Sequence, residues 1–380
     1  MAEPELELSK VLMDEFARRT GLDPVKETPT RYLWTDAFAV CVYLDLHRRT
    51  GEERYRDLAL RLVGQVHAVL GKHRRDDQRR GWISGLSGEE GDRHPTMGGL
   101  RIGKMLPERH KHGPVDPMKE WEQDGQYYHY LTKWIHALER VSAVTGEARY
   151  LRWAMELART AHARFSYSLP TGRKRMFWKM SIDLSYPLVT SMGQHDALDG
   201  LVTFIELQEA TSRFPGEGFP ALATEITELE SMAESSSWVT DDPLGAGSLL
   251  TDAWRMAQEK HPARERLLLP LLEAGVASLD HVAAGLPVQA RAERRLAFRE
   301  LGLAIGLKAS VEMDNAGAAA SVEGASELVT QLRAHSSLAS QIEGFWSEPH
   351  SRSARSWREH EDINAVMLAA SLSPGEYLRI

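Results

Sequence analysis

Five stretches of the chain set a carboxylate beside Trp or His. They read Trp34-Thr35-Asp36, Trp121-Glu122-Gln123-Asp124-Gly125-Gln126-Tyr127-Tyr128-His129, Gly193-Gln194-His195-Asp196, Trp238-Val239-Thr240-Asp241-Asp242, and Trp357-Arg358-Glu359-His360-Glu361-Asp362-Ile363-Asn364. Each opens a helical pattern, so one explanation is capping, in which Asp stabilises a helix start by about 1 kcal/mol and Trp packs at the entry. The other explanation is sugar chemistry. Carboxylates hydrogen-bond vicinal hydroxyls, and flat rings stack on the C–H side of a sugar. Glycoside hydrolysis needs two carboxyls, one protonated as general acid and one ionised as base or nucleophile, on opposite sides of the scissile bond. Asp124 and Asp196 form the best pair, with Asp36 third, and either of the pair could be the acid. Trp34, Trp121, Tyr128 and Trp178 offer stacking surface, and His129, His195, Lys179 and Glu361 add polar contacts. A different proton chemistry, epimerisation or isomerisation of a sugar, would use His129, His195 and His360 as base and acid.

Helical hairpins must position these residues. Arg49-Thr50-Gly51-Glu52-Glu53-Arg54-Tyr55 and Val144-Thr145-Gly146-Glu147-Ala148-Arg149-Tyr150 repeat one phrase, each after an apolar helix pattern and before a second helix. Glycine accepts the left-handed C-cap, Glu suits the next helix start, and the Tyr is expected to pack back into the pair. Periodicity predicts helix pairs at 32–47 with 52–70, 121–144 with 147–165, 194–210 with 220–235, 244–260 with 262–283, and 292–310 with 322–343. One helix remains at each end, over 4–19 and 360–372, and together they make a sixth pair if the termini meet. The first helix of several pairs is apolar almost all round, as over 37–44, and the second is amphipathic. A helix without a wet face must be enclosed, which fits inner and outer layers of one ring. An open helical array with the same hairpins is the alternative, and there the acids would be caps on a non-catalytic scaffold.

Residues 81–120 form a connection longer than compact domains usually tolerate, which marks a functional lid or an insert. Trp82, Ile83, Leu86, Met97, Leu100, Ile102 and Leu106 give it apolar surface to bury, so order is expected, either as a lid or as a structural loop. Arg101 with Lys104 would attract an acidic sugar or a phosphate. Histidines 94, 110, 112, 129 and 195 fall in these regions, and His195 with Asp199 is spaced i,i+4. With 15 histidines in 380 residues such spacings arise by chance, and neither a metal nor a cofactor is expected.

With this number and order of hairpins and these acid-aromatic helix starts, the chain resembles the six-hairpin glycosidase-like superfamily. That resemblance implies an all-α (α/α)6 toroid, a single domain over 1–380 with 81–120 as a lid-like insertion, closed by the N- and C-terminal helices. It also implies a carbohydrate-active enzyme, a glycoside hydrolase first and a sugar epimerase or isomerase second, with a small carbohydrate as substrate.

Composition agrees with a large folded core: 42% of residues are hydrophobic, 26% are charged, and Trp occurs ten times. A net charge of −8 argues against a nucleic-acid surface. The single cysteine, Cys41, allows no intrachain disulfide and argues against a thiolate zinc site, which suits a reducing, cytoplasmic setting. No signal peptide is read at the start, and no run is read as approaching the roughly 20 apolar residues of a membrane span.

Overall fold

A computed structural model of the chain describes residues 3–286 and 288–380. The helices run in the order α1 (Glu3–Thr20), α2 (Leu33–Thr50), α3 (Glu53–Leu70), α4 (Gly88–Arg93), α5 (Pro117–Glu120), α6 (Tyr128–Thr145), α7 (Ala148–Phe165), α8 (Asp196–Ala210) and α9 (Ala223–Glu234). They continue as α10 (Pro243–Gln258), α11 (Ala263–Gly285), α12 (Ala297–Asn315), α13 (Ala325–Ala334), α14 (Ser336–Ser347), α15 (Pro349–Arg352), α16 (Arg355–Arg358) and α17 (Glu361–Leu372). Five short strands fall between α5 and α8: β1 (Gln126–Tyr127), β2 (Ser166–Ser168), β3 (Lys174–Met176), β4 (Lys179–Met180) and β5 (Pro187–Val189). β4 pairs antiparallel with both β1 and β5, and β2 pairs with β3.

The repeated phrase builds the same turn twice. Gly51 and Gly146 take φ of 71° and 70°, and the Gly N–H donates to the carbonyl four residues back, His47 or Ser142. In both turns the following Glu N–H donates to the Thr hydroxyl, and an Arg guanidinium lies over the ring of the buried Tyr55 or Tyr150.

Most predicted helices stand within a few residues of their expected ends. The main exception is 121–127, expected inside a helix. There Trp121 caps α5, Gln126 and Tyr127 pair with Met180 and Lys179, and the helix starts only at Tyr128. The cause is side-chain bonding that a helix could not offer. Gln126 accepts from Leu100 N–H and donates to the carbonyls of Gly98 and Ile182. A second exception is 322–343, which breaks at His335 into α13 and α14. The Ser336-Ser337 pair follows the break, and serine favours helix starts over helix interiors.

Contacts divide the chain into two compact units. The first comprises Ala17–Val40 and Glu53–Ser236, the second Met1–Phe16, Cys41–Glu52 and Ser237–Ile380. In the first, α6 is buried around nearly its whole circumference from Leu131 to Ser142, and it packs on α7 and α8. Helix α7 is amphipathic, burying Tyr150, Leu151, Ala154, Leu157, Ala158, Ala161 and Phe165. Residues 81–120 are ordered in this unit: Trp82, Ile83, Leu100 and Ile102 are buried, whereas Met97 and Leu106 are exposed. Ile102 bonds through its backbone to Leu33 and Gly125, which ties the stretch to the starts of α2 and α6.

In the second unit α12 is central, packing on α10, α13, α14 and α17. Both chain ends are anchored here. Tyr43 donates to the Met13 carbonyl at 2.9 Å, Ser373 donates to Asp45, and Arg48 pairs with Glu376 at 3.0 Å. Leu12, Met13 and Phe16 of the first helix are fully buried, whereas Val11 is 50% exposed. Helix α11 corrects one expectation, because by length and composition alone it could span a membrane; half of its apolar window is buried within the fold.

Candidate functional site

The expected residues sort by burial and partners. Asp124 is fully buried and holds a loop together. Its Oδ2 accepts from Arg101 at 2.5 Å and Arg74 at 3.3 Å, and its Oδ1 accepts from the amides of Gly103 and Lys104. Arg101, buried as well, also donates to the carbonyls of Lys72 and Val69. It is thus committed to backbone and Asp124. Lys179 is similarly enclosed, its Nζ bonded to the Glu120 and Gln123 carbonyls at 2.5 and 2.9 Å, and burial lowers its pKa. Asp36 is buried, accepts from Tyr32 N–H at 3.0 Å and lies 3.4 Å from Arg31, the arrangement of a helix-start cap.

Tyr128 faces the interior. It is fully buried against Phe165, and its hydroxyl lies so near Gly200 that a Cβ there would come within 2.4 Å of it. It therefore offers no stacking face to a ligand. His195 precedes α8 without a side-chain capping bond. Glu361, exposed at the first turn of α17, lies in the second unit. That unit also holds a cavity of about 740 Å³, bordered by Arg48, Lys308 and Arg333, each paired with a carboxylate; none of the expected site residues lines it.

Asp196 differs in kind from Asp124. It is 4% exposed, and its Oδ2 has no hydrogen-bond partner. The carboxyl packs so closely on Gly193 that a Cβ there would fall 2.4 Å from Oδ2, so a larger residue would displace it. Burial, and then the charge of Asp199, push its pKa from 3.8 up to about 8, against the Gly193 amide and Lys133. Asp199 accepts from Thr132 at 2.5 Å and from Lys133 at 2.8 Å. His129 Nδ1 lies 3.6 Å from Asp196 Oδ1 and has no hydrogen-bond partner, and burial lowers the His129 pKa to about 4. The proximity suggests an ion pair, but both groups are pushed toward neutrality. At pH 7 the contact joins a carboxylic acid to a neutral imidazole.

Aromatic rings extend from this pair. His129 stacks on Trp178 at 6.2 Å and 12°, Tyr127 lies 5.1 Å from Trp178, and the 55%-exposed Trp121 meets Trp178 edge-on at 5.0 Å. Tyr130 contacts His129 at 4.8 Å, shares a 2.7 Å hydroxyl contact with Tyr32, and reaches Trp34 at 6.4 Å. The first unit thus brings together Trp34, Trp121, Trp178, His129 and Asp196. Sequence reasoning missed Tyr32, Tyr127, Tyr130 and Lys133, and read Asp199 only as a partner for His195. The signal for two of them was helical spacing: Lys133 is i+4 from His129, and Asp199 is i+3 from Asp196.

Deeper between α6 and α8, His136, Glu139 and Glu206 place ligand atoms within 4.8 Å of one another, the one such group found among the described residues. His136 bonds Glu206 at 2.8 Å, and Glu139 pairs with Arg213 at 2.5 Å and with Arg140 at 3.3 Å. Burial raises Glu139 to about 7, against Arg140 and with Glu206. Two guanidinium groups on Glu139 give this group the character of an ion-pair network.

Among solved structures, the chain is similar to a GH76 alpha-mannanase from Bacteroides thetaiotaomicron, with TM-score 0.53 and 11% identity over 97% of each chain. It is also similar to a sugar epimerase from a ruminal bacterium, with TM-score 0.48 and 10% identity over 90% of this chain and 87% of that one. No protein-family model and no curated protein matches it. At such identities the likeness is one of fold alone, that of an all-α (α/α)6 toroid.

Proposed function

We propose that the protein is a carbohydrate-active enzyme, a glycoside hydrolase in which Asp196 is the proton donor. The observation that carries this is the state of Asp196: a buried carboxyl, unpartnered at Oδ2 and held protonated near neutral pH, at the inner end of an aromatic wall. A general acid must keep its proton until the leaving oxygen gains charge. Asp199, fixed one turn along α8 by Lys133 and Thr132, supplies the negative charge that helps keep Asp196 protonated. The half-buried Trp178 and the exposed Trp121 supply faces for a sugar ring. Residues 81–120, bonded to the starts of α2 and α6, serve as the cover of this wall. The fold shared with a mannanase is consistent with this reading. Asp124 has no part in it, because four donors hold its carboxylate.

One observation favours a second reaction on the same residues. His129 is a neutral imidazole beside a protonated acid, so it could take a proton from a sugar carbon while Asp196 returns one, as a sugar epimerase or isomerase requires. A screen of neutral and acidic glycosides and free sugars with mass detection tests both. Hydrolysis adds the mass of water and splits the substrate, whereas isomerisation conserves mass and changes retention. Absence of any turnover across the screen would leave the non-catalytic scaffold.

A further inference from the structure

Resting on that reading of the site, we infer that Trp121 is an outer sugar-binding platform and that the substrate is a neutral oligosaccharide reaching from it to Asp196. Trp121 is 55% exposed, and Met118, one turn earlier, is 79% exposed. Large exposed apolar side chains grouped at a site mark a contact surface. From Trp121 the rings continue inward through the half-buried Trp178 at 5.0 Å to His129, which stacks on Trp178 at 6.2 Å and lies beside Asp196. Trp121 thus stands two ring contacts out from Asp196, a place for a sugar unit beyond the one at the acid.

Two further observations support a built platform and set the ligand's charge. The turn carrying Trp121 is held from beneath by a buried ammonium. Lys179 Nζ bonds the carbonyls of Glu120 and Gln123, the residues flanking Trp121 and Glu122, while Arg109 pairs with the Glu120 carboxylate at 2.9 Å. Holding a ring in its bound position before the ligand arrives reduces the entropy lost on binding. The guanidinium groups around the wall are already engaged, Arg101 and Arg74 with Asp124, Arg79 with Asp77, Glu108 and Asp183, and Arg109 with Glu120, while Lys104 lies over the Tyr32 ring. That corrects the expectation of an acidic sugar on Arg101 and favours uncharged hydroxyls.

The test is calorimetric titration of the full chain, and of its Trp121→Ala and Trp121→Phe variants, with glucose, mannose and their neutral oligomers up to the pentasaccharide. Thermal melts check that each variant is folded. In the native protein affinity should rise with chain length. Trp121→Ala should weaken the longer oligomers about tenfold and leave monosaccharide binding unchanged, and Trp121→Phe, which keeps a ring face, should retain most of the length dependence. Equal binding of all lengths by native and Ala proteins would overturn the inference. So would tighter binding of oligogalacturonate, no sugar binding at all, or a Trp121-dependent dimer in its place. Length-dependent binding through Trp121 with no sugar ever transformed would sink the enzyme reading and leave this platform standing.

Discussion

Converting Asp196 to Asn should stabilise the protein while sharply reducing the proposed activity, and the gain should grow with pH. The native state holds a proton on Asp196 that the unfolded chain releases, because the carboxyl is pushed from 3.8 up to about 8. A raised carboxyl pKa leaves folding unpenalised below the unfolded value, and the penalty grows as pH rises toward the folded value. At 1.36 kcal/mol per unit, the penalty is about 2 kcal/mol at pH 5, about 4 kcal/mol at pH 7 and about 6 kcal/mol well above pH 8. Asn keeps the shape and removes the titration. His129, Asp199 and Lys133 are present in both proteins, so their shared contribution largely cancels. Urea unfolding of both proteins across about pH 5 to 9 measures the gap. It should widen by about 4 kcal/mol between pH 5 and pH 8, with the native protein losing stability. On the proposed role of Asp196, turnover by the native protein should fall above about pH 8, as Asp196 loses its proton, and in the Asn variant it should be reduced by about 10²- to 10⁴-fold. A gap independent of pH, or an Asn variant less stable throughout, would refute the assignment of a protonated buried acid.

Three other outcomes follow from the same structure. Asp124→Asn should destabilise the fold by about 3 kcal/mol, because it leaves the buried Arg101 charge without its carboxylate; the readout is the denaturation midpoint, and an unchanged midpoint with lost activity would return Asp124 to the chemistry. Deleting residues 1–20 should lower the melting temperature sharply, since Leu12, Met13 and Phe16 leave a buried site and Tyr43 loses its acceptor; unchanged melting would refute the anchoring of the chain ends. Limited proteolysis should leave 81–120 largely intact in the native state, given buried Trp82, Ile83, Leu100 and Ile102; rapid cleavage throughout the stretch would contradict its packing.

Local physics made much of this protein legible from its residues. Helical periodicity and the Thr-Gly-Glu phrase depend on neighbours within a few positions, so the hairpins around Gly51 and Gly146 could be read before any fold was known. The burial of 37–44 followed from an apolar run with no wet face. The helix start after Trp121 escaped that logic, because Gln126 bonds to residues 26, 28 and 56 positions away, beyond any local pattern. The same limit governed the acids. Asp124 and Asp196 sit in similar company along the chain, each an acid near a His and a helix start. What separates them arrives through space: Arg101 and Arg74, 23 and 50 residues distant in sequence, close on Asp124 and hold its carboxylate in place. Asp196 instead meets burial, the Asp199 charge and an unpartnered His129 ring. A carboxyl's proton affinity is set by desolvation and by the charges within a few ångströms, and tertiary structure alone decides which charges those are.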